Sequence, residues 1–201
     1  MPGTATRRIR LADIVATPWK NGGGVTREIA TGTRADGGAG WAQDWGWRVS
    51  LAEVSADGPF SIFPETDRII AVIDGRGMDL LRPDGTILAL EPFQPMRFAG
   101  EAPFEGRLRD SPVRDLNVMA RRGLFAAEME IREGTCSATV KSGSYDNLLV
   151  HNLAGRCELR GTGGAAHDLE PGETLVHEGR GSFELEIGNG SHAAVIRVSS
   201  R

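Results

Sequence analysis

The stretch "GRGMDLLRPDGTILALEP" at residues 75–92 returns, one residue shorter, as "GRCELRGTGGAAHDLEP" at residues 155–171. Each copy is typical of a glycine turn, a strand, a polar turn and a second strand that ends in Leu-Glu-Pro. A hairpin that occurs twice in one chain indicates a duplicated small β-barrel. The repeat therefore predicts two halves, placed at residues 1–120 and 121–201. Strands shared between the halves would make them one compact unit.

The remaining sequence carries the same signal. Its 27 glycines and 10 prolines separate short segments in which apolar residues favour period two, and helical periodicity is scarce. This pattern predicts an all-β sandwich or barrel. Strands are predicted at residues 26–31, 45–54, 68–74, 86–90, 115–121, 125–132, 148–152, 173–176, 183–187 and 193–198.

Composition excludes several classes of protein. The 23 Lys and Arg against 27 Asp and Glu give a net charge of −4, so no overall basic field attracts nucleic acid or an anionic membrane. No window has the apolar length of a membrane helix, and no cleavage site follows the N-terminal arginines. Cys136 and Cys157 form neither a disulfide framework nor a metal clip. We expect a soluble cytoplasmic protein with reduced thiols, and a homodimer is left open.

The stretch "PWKNGGGVTREI" at residues 18–29 is not a phosphate loop. In a phosphate loop the lysine follows the last glycine and a helix comes next, whereas here Lys20 precedes the glycines and a strand pattern follows. A plain connecting loop is one interpretation. The other is the mouth of a pocket, because Lys20, Asn21, Arg27 and Glu28 place a cation, an amide and an ion pair around a loop without bulk. In that case Lys20 and Arg48 would bind the same anion.

Two predicted strands have a polar face. In "WGWRVSLAEV" at residues 45–54, Arg48 and Ser50 alternate with apolar residues, and in "DLNVMAR" at residues 115–121 Asp115 and Asn117 share a face. If both polar faces line an interior, these four side chains converge on one cavity. A solvated outer face is the alternative. The opposite face of the first strand is expected to be buried, and it carries Trp45, Trp47, Val49 and Leu51.

Several blocks of the chain resemble the HutD/Ves family of cupin-like proteins. "PWKNGGGVTREI" is similar to the family's N-terminal signature, and "WRVSLAEV", "DGPFSIFPETDR" and "DLNVMARR" resemble its following blocks in order. The matching blocks span roughly residues 18–122. The resemblance implies a bicupin, which is two RmlC-type jelly-roll barrels in one chain. It also implies an association with histidine utilisation in several members, and it brings no settled catalytic activity.

The metal-binding pattern of many cupins, G(x)5HxH(x)3–4E(x)6G with a later histidine, is absent. Laid on "SIFPETDRIIAVIDG" at residues 61–75, the histidine positions hold Ser61 and Phe63, and the glutamate position holds Arg68. Arg97 lies near the fourth ligand position. These side chains cannot replace imidazole and carboxylate around a divalent cation, whereas two arginines suit a carboxylate. The four histidines show neither HxH nor HxxxH spacing. We expect no metal and no other cofactor.

Three functions are compatible with these residues. The first is a non-enzymatic protein that binds a small carboxylate or amino-acid derivative, with no catalytic residue. The second is a metal-independent isomerase or epimerase with Lys20 or Glu28 as base and Arg48 holding an enolate. The third is an interaction module whose dimer face is Trp41, Trp45 and Trp47. The binding protein ranks first, and its candidate ligand-binding residues are Lys20, Asn21, Arg27, Glu28, Arg48, Ser50, Ser61, Arg68, Asp115 and Asn117.

The purified protein is expected to carry no stoichiometric zinc, iron or manganese, because the residues at the cupin ligand positions are poor metal donors. Elemental analysis of protein purified without a chelator checks this expectation. About one metal ion per chain, lost on His151→Ala or His177→Ala, would contradict it.

Overall fold

The computed structural model describes residues 5–33, 44–142 and 146–201. These residues form an all-β protein, as the period-two pattern predicts, and their one helical element is a 3-10 turn at Leu11–Asp13. Within these ranges no helix has the length and apolarity that crossing a membrane requires. The strands are β1 Ala5–Arg10, β2 Thr17–Pro18, β3 Gly24–Gly32, β4 Trp47–Val54, β5 Gly58–Pro59, β6 Thr66–Asp74, β7 Met78–Leu81, β8 Ile87–Leu90, β9 Met96–Ala99, β10 Glu105–Leu108, β11 Val113–Arg121, β12 Phe125–Glu133, β13 Cys136–Lys141, β14 Asn147–Ala154, β15 Cys157–Gly161, β16 Ala166–Leu169, β17 Glu173–Glu178, β18 Ser182–Ile187 and β19 His192–Ser200.

The chain divides into two compact units. One is residues 15–125, and the other combines residues 126–201 with the segment that ends at Ile14. The predicted division at residues 1–120 and 121–201 has the N-terminal segment in the first half instead. The difference arises from β1, which pairs antiparallel with β17 along its whole length. The buried carboxylate of Glu173 on β17 binds Arg8 and Arg10, so ion pairs reinforce this ladder.

The 15–125 unit consists of two antiparallel sheets on a shared apolar core. The six-stranded sheet has the order β2-β3-β4-β11-β6-β9, and the four-stranded sheet has the order β5-β10-β7-β8. Side chains of both sheets meet in one cluster, so the sheets pack face to face. The buried members of the cluster are Ala52, Val54, Ile70, Val72, Met78, Leu80, Leu90, Phe104 and Val113.

The 126–201 unit repeats this arrangement. Its sheets have the orders β1-β17-β14-β19-β12 and β13-β18-β15-β16. Both sheets again contribute to one apolar cluster. The cluster includes Val140, Leu148, Val150, Cys157, Leu159, Leu169, Leu175, Phe183, Leu185, Ile187, Ala193 and Val195.

The repeated sequence forms equivalent hairpins in the two units. In the first copy β7 pairs with β8, and Met78 lies opposite Leu90. In the second copy β15 pairs with β16, and Cys157 lies opposite Leu169. All four of these side chains are buried in the core of their own unit. The repeat therefore conserves both the hairpin register and the apolar positions of each core.

Strand β4 is buried on both faces, although alternation predicted one buried face and one polar face. The predicted apolar face is confirmed, since Trp47, Val49 and Leu51 are 4%, 0% and 1% exposed. On the other face, Ala52 and Val54 belong to the core between the two sheets. Trp45 and Trp47 are buried in the single chain, so they do not present an exposed dimer face, and Trp41 lies outside the described residues.

Of the three glycines of the N-terminal signature, Gly22 and Gly23 lie in the turn between β2 and β3, and Gly24 begins β3. Gly22 has a φ of +73°, a conformation that disfavours other residues. Gly24 has an ordinary φ, but a Cβ there would overlap the carbonyl oxygen of Glu53 and lie 3.1 Å from the Trp19 ring. A Cβ on Gly23 would meet only ordinary contacts, 3.5 Å from Asn21 Oδ1. Gly22 is therefore favoured by its backbone conformation, and Gly24 by the lack of space for a side chain.

Gly24→Ala is expected to lower the free energy of unfolding by about 2 kcal/mol, because the new methyl group must displace the neighbouring strand backbone. Gly23→Ala is the matched control, and it should change stability by less than about 0.5 kcal/mol. Urea unfolding of both variants checks the difference. Equal losses in the two variants would show that the close approach of Glu53 to Gly24 is not the reason why glycine occupies this position.

Candidate functional site

The register of β3, β4, β11 and β6 brings polar side chains onto one face of the six-stranded sheet. Ser50 lies opposite Glu28 on one side and Asn117 on the other. Met119 lies opposite both Arg48 and Arg68. Residues directly opposite each other point to the same side of a sheet. This face therefore carries a polar cluster, which consists of Glu28, Arg48, Ser50, Arg68, Asp115 and Asn117.

The polar cluster lies on the same face as the apolar core but towards one end of the strands. On β4, Ala52 and Val54 enter the core, and Ser50 and Arg48 follow in the direction of Trp47. On β6, Ile70 and Val72 enter the core, and Arg68 precedes them. The inner face thus changes from apolar to polar along the length of β4 and β6.

Arg68 is the most unusual member of the cluster, because its guanidinium is inside the protein and the residue is 5% exposed. Its Nε and Nη2 donate to Asn117 Oδ1 at 3.3 and 2.9 Å, and its Nη1 donates to the carbonyl oxygen of Ser61 at 3.3 Å. The rings of Phe60, Phe63 and Phe98 lie 5.2 to 5.5 Å from its Cζ, within cation–π range. All these contacts are with neutral groups.

Burial is the main cause that lowers the pKa of Arg68, to about 10. The nearby negative charge of Asp115 opposes this shift, and the positive charge of Arg48 adds to it. The guanidinium still carries its charge at neutral pH. The cluster therefore holds a permanent cation in a place from which water is largely excluded.

Asn117 links Arg68 to a buried carboxylate. Its Oδ1 accepts from Arg68, and its Nδ2 donates to Asp115 Oδ1 at 2.7 Å. Asp115 is 1% exposed. Burial raises the pKa of Asp115 to about 6, even though the Asn117 hydrogen bond and the charge of Arg68 both act to lower it. A carboxylic acid that titrates close to neutral pH is characteristic of functional sites.

Arg48 and Glu28 form the more exposed part of the cluster. Arg48 Nε lies 3.0 Å from Glu28 Oε2, and the two side chains are 21% and 49% exposed. The pair has the distance of an ion pair without the angle of a hydrogen bond, so the buried Nε–H of Arg48 has no hydrogen-bond acceptor among the described residues. Arg48 therefore retains donor capacity at the solvent-facing edge of the cluster.

The turn between β2 and β3, residues 19–23, which we call the signature turn, lies away from the polar cluster. Gly24, at its end, pairs with Val54, whereas Arg48 lies six residues earlier on β4. Six residues of strand extend about 20 Å, which is beyond the reach of a lysine side chain. Lys20 is exposed, and Asn21 Oδ1 accepts from the backbone N–H of Gly23 at 3.1 Å. This separation argues against the expectation that Lys20 and Arg48 hold one anion.

Two other candidates take positions that differ from expectation. Arg27 pairs with Leu51 on the opposite face of the sheet, and its side chain forms an ion pair with Glu53. Ser61 does reach the cluster, but it contributes its backbone carbonyl to Arg68, whereas the sequence pattern pointed to its hydroxyl group. Of the ten candidates, the structure thus brings together the six members of the polar cluster and the main chain of Ser61.

The residues at the cupin ligand positions do not form a metal site. Phe63 packs its ring near Arg68, while Arg97 pairs with Ile69 on the other face of the sheet. Phenyl and guanidinium groups offer no lone pair to a cation. Across the described ranges, no group of three or more His, Cys, Asp or Glu side chains is placed to hold a metal ion. The buried histidine His151 is hydrogen-bonded through Nδ1 to Thr174 Oγ1 at 2.7 Å.

Sequence reasoning missed the aromatic surroundings of Arg68. Phe98 on β9 lies directly opposite Arg68, and its ring also packs edge-on against Phe104 of the apolar core at 5.2 Å. Phe60 comes from the segment after β5. The available signal was the spacing of Phe60 and Phe63 before Arg68, but their convergence depends on the fold of that connecting segment.

Solved structures with this architecture are cupin-like. A cupin 2 conserved barrel domain protein from Leptotrichia buccalis matches with a TM-score of 0.56 and 10% identity, over 97% of this chain and 96% of its own. A likeness at this identity concerns the fold alone. Together with the two-sheet units, it defines an all-β protein with cupin-like structural relatives.

The chain belongs to the HutD family, whose model matches residues 11–195, and the resemblance in the sequence blocks is thereby confirmed. An uncharacterized 21.2 kDa protein in the hutC 3′ region of Pseudomonas putida is 38% identical over 127 residues, 63% of this chain and 64% of that protein. Protein Ves of Cronobacter sakazakii is 31% identical over 142 residues, 70% of this chain and 72% of that protein. HutD from Pseudomonas fluorescens, with a structure from a formate condition, matches with a TM-score of 0.79 and 30% identity, over 98% of this chain and 100% of its own.

Asp115 is expected to make stability depend on pH. Its pKa is about 6 in the folded state and about 3.9 in an unfolded chain, so the folded state binds the proton more tightly. The resulting stabilisation is complete below about pH 4 and is lost as pH rises through 6. From pH 8 to pH 5, the wild type should gain about 1.4 kcal/mol of unfolding free energy relative to Asp115→Asn. Urea unfolding across this range measures the difference, and a pH-independent difference would contradict the assignment.

Proposed function

We propose that this chain is a metal-free, cupin-like cytoplasmic protein whose polar cluster binds a small carboxylate or amino-acid derivative. The observation that carries the proposal is the environment of Arg68. Its guanidinium is buried, yet its contacts are an amide oxygen, a carbonyl oxygen and three phenyl rings. The nearest buried carboxylate, Asp115, reaches Arg68 only through Asn117, and a bound carboxylate would place a negative charge in direct contact with the guanidinium.

The donor geometry supports a carboxylate as the ligand. Arg68 uses three of its five N–H groups on Asn117 and Ser61, which leaves two among the described contacts. Arg48 offers a second guanidinium at the exposed edge of the cluster. Its ion pair with Glu28 is partly solvated and therefore contributes only about 0 to 1 kcal/mol. A ligand carboxylate can displace Glu28 from Arg48 at small cost.

The metal-free part of the proposal rests on the chemistry of the donors. Ser61, Phe63, Arg68 and Arg97 occupy the positions where metal-binding cupins carry histidine and glutamate, and two of these residues are cations. A guanidinium near a divalent cation would repel it. In this chain an arginine stands at the sequence position where metal-binding cupins carry a glutamate, and it can attract an anionic ligand without a metal.

We further propose that each unit closes into a jelly-roll barrel, so that the chain is a bicupin. The two-sheet cores, the equivalent hairpins and the cupin-like structural relatives support this arrangement. A role in histidine utilisation is proposed from the family name and from the P. putida relative in the hutC 3′ region. In that role the protein would report or limit the level of a pathway metabolite.

A metal-independent isomerase or epimerase is the second candidate. The observation that favours it is the 3.0 Å approach of Glu28 to Arg48, which places a carboxylate base beside an anion clamp. The two functions differ in what happens to the ligand. Incubation of a bound ligand with catalytic amounts of protein, followed by NMR and chiral chromatography, would reveal an isomer for the enzyme and unchanged ligand for the binding protein.

Arg48→Ala is expected to weaken binding of a carboxylate at least tenfold, or about 1.4 kcal/mol, because a charge-assisted contact is lost. The ligand is first selected by a thermal-shift screen of small carboxylates and amino-acid derivatives, with and without EDTA. Calorimetry on the best compound then measures the loss.

Arg107→Ala is the matched control, since Arg107 lies on β10 of the same unit with 57% of its side chain exposed. It removes the same charge and should leave affinity unchanged. Lys20→Ala measures whether the signature turn takes part, and the 20 Å separation predicts no effect. If Arg48→Ala binds as tightly as Arg107→Ala, the proposed site is wrong.

A further inference from the structure

The chain of contacts from Arg68 through Asn117 to Asp115 connects the proposed anion site to a carboxylate that solvent does not reach. Asn117 accepts from Arg68 at 2.9 Å and donates to Asp115 at 2.7 Å, so its amide dipole lies between the two charges. Both links involve side chains that are more than nine-tenths buried. The cluster therefore contains its own internal anion, one amide group away from the cation that would receive a ligand.

We infer that the polar cluster takes up a proton together with its anion, and that the carboxylate of Asp115 is the group that receives the proton. This inference rests on the proposed function, because it needs an anion at Arg48 and Arg68. It adds a property that anion binding alone does not require. A site built from arginines alone would bind a carboxylate equally well across neutral pH.

A bound anion changes the balance of charge around Arg68. Without a ligand, ionised Asp115 is the nearest buried counter-charge of the guanidinium. An incoming carboxylate at the other side of the guanidinium takes over that role. Two negative charges then share one buried cation, and the one that is cut off from solvent is the harder to keep ionised. Asn117 can remain in place, because its Nδ2 still donates to a carbonyl oxygen of the protonated acid.

Few other titratable groups face Asp115. The polar face contributes Arg68 from β6, Arg48 from β4 and Glu28 from β3. The strands of the opposite sheet contribute the apolar side chains of the core cluster. All four histidines of the chain have numbers above 150, so none belongs to the 15–125 unit. Among the described residues that face the cluster, Glu28 and Asp115 are the acids, and Glu28 is half exposed.

The size of the coupling follows from Coulomb's law. A ligand carboxylate and Asp115 would be separated by a guanidinium and an amide, roughly 12 Å. At the effective dielectric constant of a protein interior, a charge at that distance raises the titration midpoint of Asp115 by about one pH unit. By linkage, affinity then falls about tenfold as pH rises from 5 to 8. At pH 6.5, binding takes up about half a proton.

The test uses the wild-type protein, uniformly labelled with ¹³C, and sodium formate as the probe. Formate is the smallest carboxylate, and it stays ionised above about pH 5, so its own titration does not interfere. The ¹³C shift of the Asp115 carboxyl group, assigned by comparison with Asp115→Asn, reports its protonation from pH 4.5 to 8.5. The titration is recorded without formate and at saturating formate. The inference predicts an upward shift of the midpoint by about one unit.

If formate binding raises the titration midpoint of Asp115, affinity for formate must fall as pH rises. NMR titration at pH 5.5 and pH 8 measures this fall. Between pH 5.5 and pH 8 the wild type should lose about sevenfold and Asp115→Asn should lose none. Glu28→Gln changes the absolute affinity, because it removes the ion-pair partner of Arg48, but it should keep the pH dependence of the wild type. If Asp115→Asn does not fold, the wild-type carboxyl titration still decides, with Asp115 then assigned by its through-space contacts to Asn117. A pH dependence that disappears in Glu28→Gln instead would assign the proton to Glu28 and overturn the inference.

The failure of this inference is distinguishable from the failure of the proposed function. If formate binds, and Arg48→Ala weakens it, but the Asp115 midpoint stays fixed, the anion site stands and proton uptake is refuted. If formate fails to perturb residues of the polar cluster at any pH up to molar concentration, both the site and the coupling are refuted. A midpoint shift that persists in Arg48→Ala with the affinity unchanged would place the anion elsewhere and also refute the inference.

Discussion

The burial of one guanidinium is the constraint around which the 15–125 unit is organised. Arg68 can lie inside the unit only because β11 supplies an amide oxygen, the segment before β6 supplies a carbonyl, and three phenyl rings surround the charge. Each of these partners depends on a register or a turn elsewhere in the unit. The same burial raises the pKa of Asp115, and the charge of Arg68 opposes that rise without cancelling it.

Much of the fold could be predicted from the sequence, because buried strands impose a period of two. The ten predicted strands correspond to β3, β4, β6, β8, β11, β12, β14, β17, β18 and β19. The repeat also predicts the hairpin strands β7, β15 and β16. The remaining strands are mostly short or exposed, and β1 shows why such strands escape detection. Its sequence, ATRRIR, has no apolar alternation, and it is a strand because Glu173 and the backbone of β17 hold it. Long-range pairing of this kind leaves no local pattern.

The candidate site could be predicted in part. Alternation placed Arg48 with Ser50 and Asp115 with Asn117, and the structure does bring these pairs to one face. Alternation could not show how far the signature turn lies from Arg48. That distance depends on the register of the strands, and register is set by all the pairings of the sheet. The aromatic partners of Arg68 escaped for a related reason. Phe98 is distant in sequence and meets Arg68 only through the pairing of β6 with β9.

The repeated hairpins allow a position in the polar cluster to be compared with the equivalent position in the other unit. Strand β6 runs into the turn at Gly75 and strand β14 into the turn at Gly155, and the residue seven places before each glycine is Arg68 in one unit and Leu148 in the other. Leu148 fills the apolar core, in a framework that pairs its strands in the same way. One architecture thus accepts either a charge or a hydrocarbon at the same point. The chain therefore holds two versions of one framework, with a buried cation at this position in one unit and a packed leucine in the other.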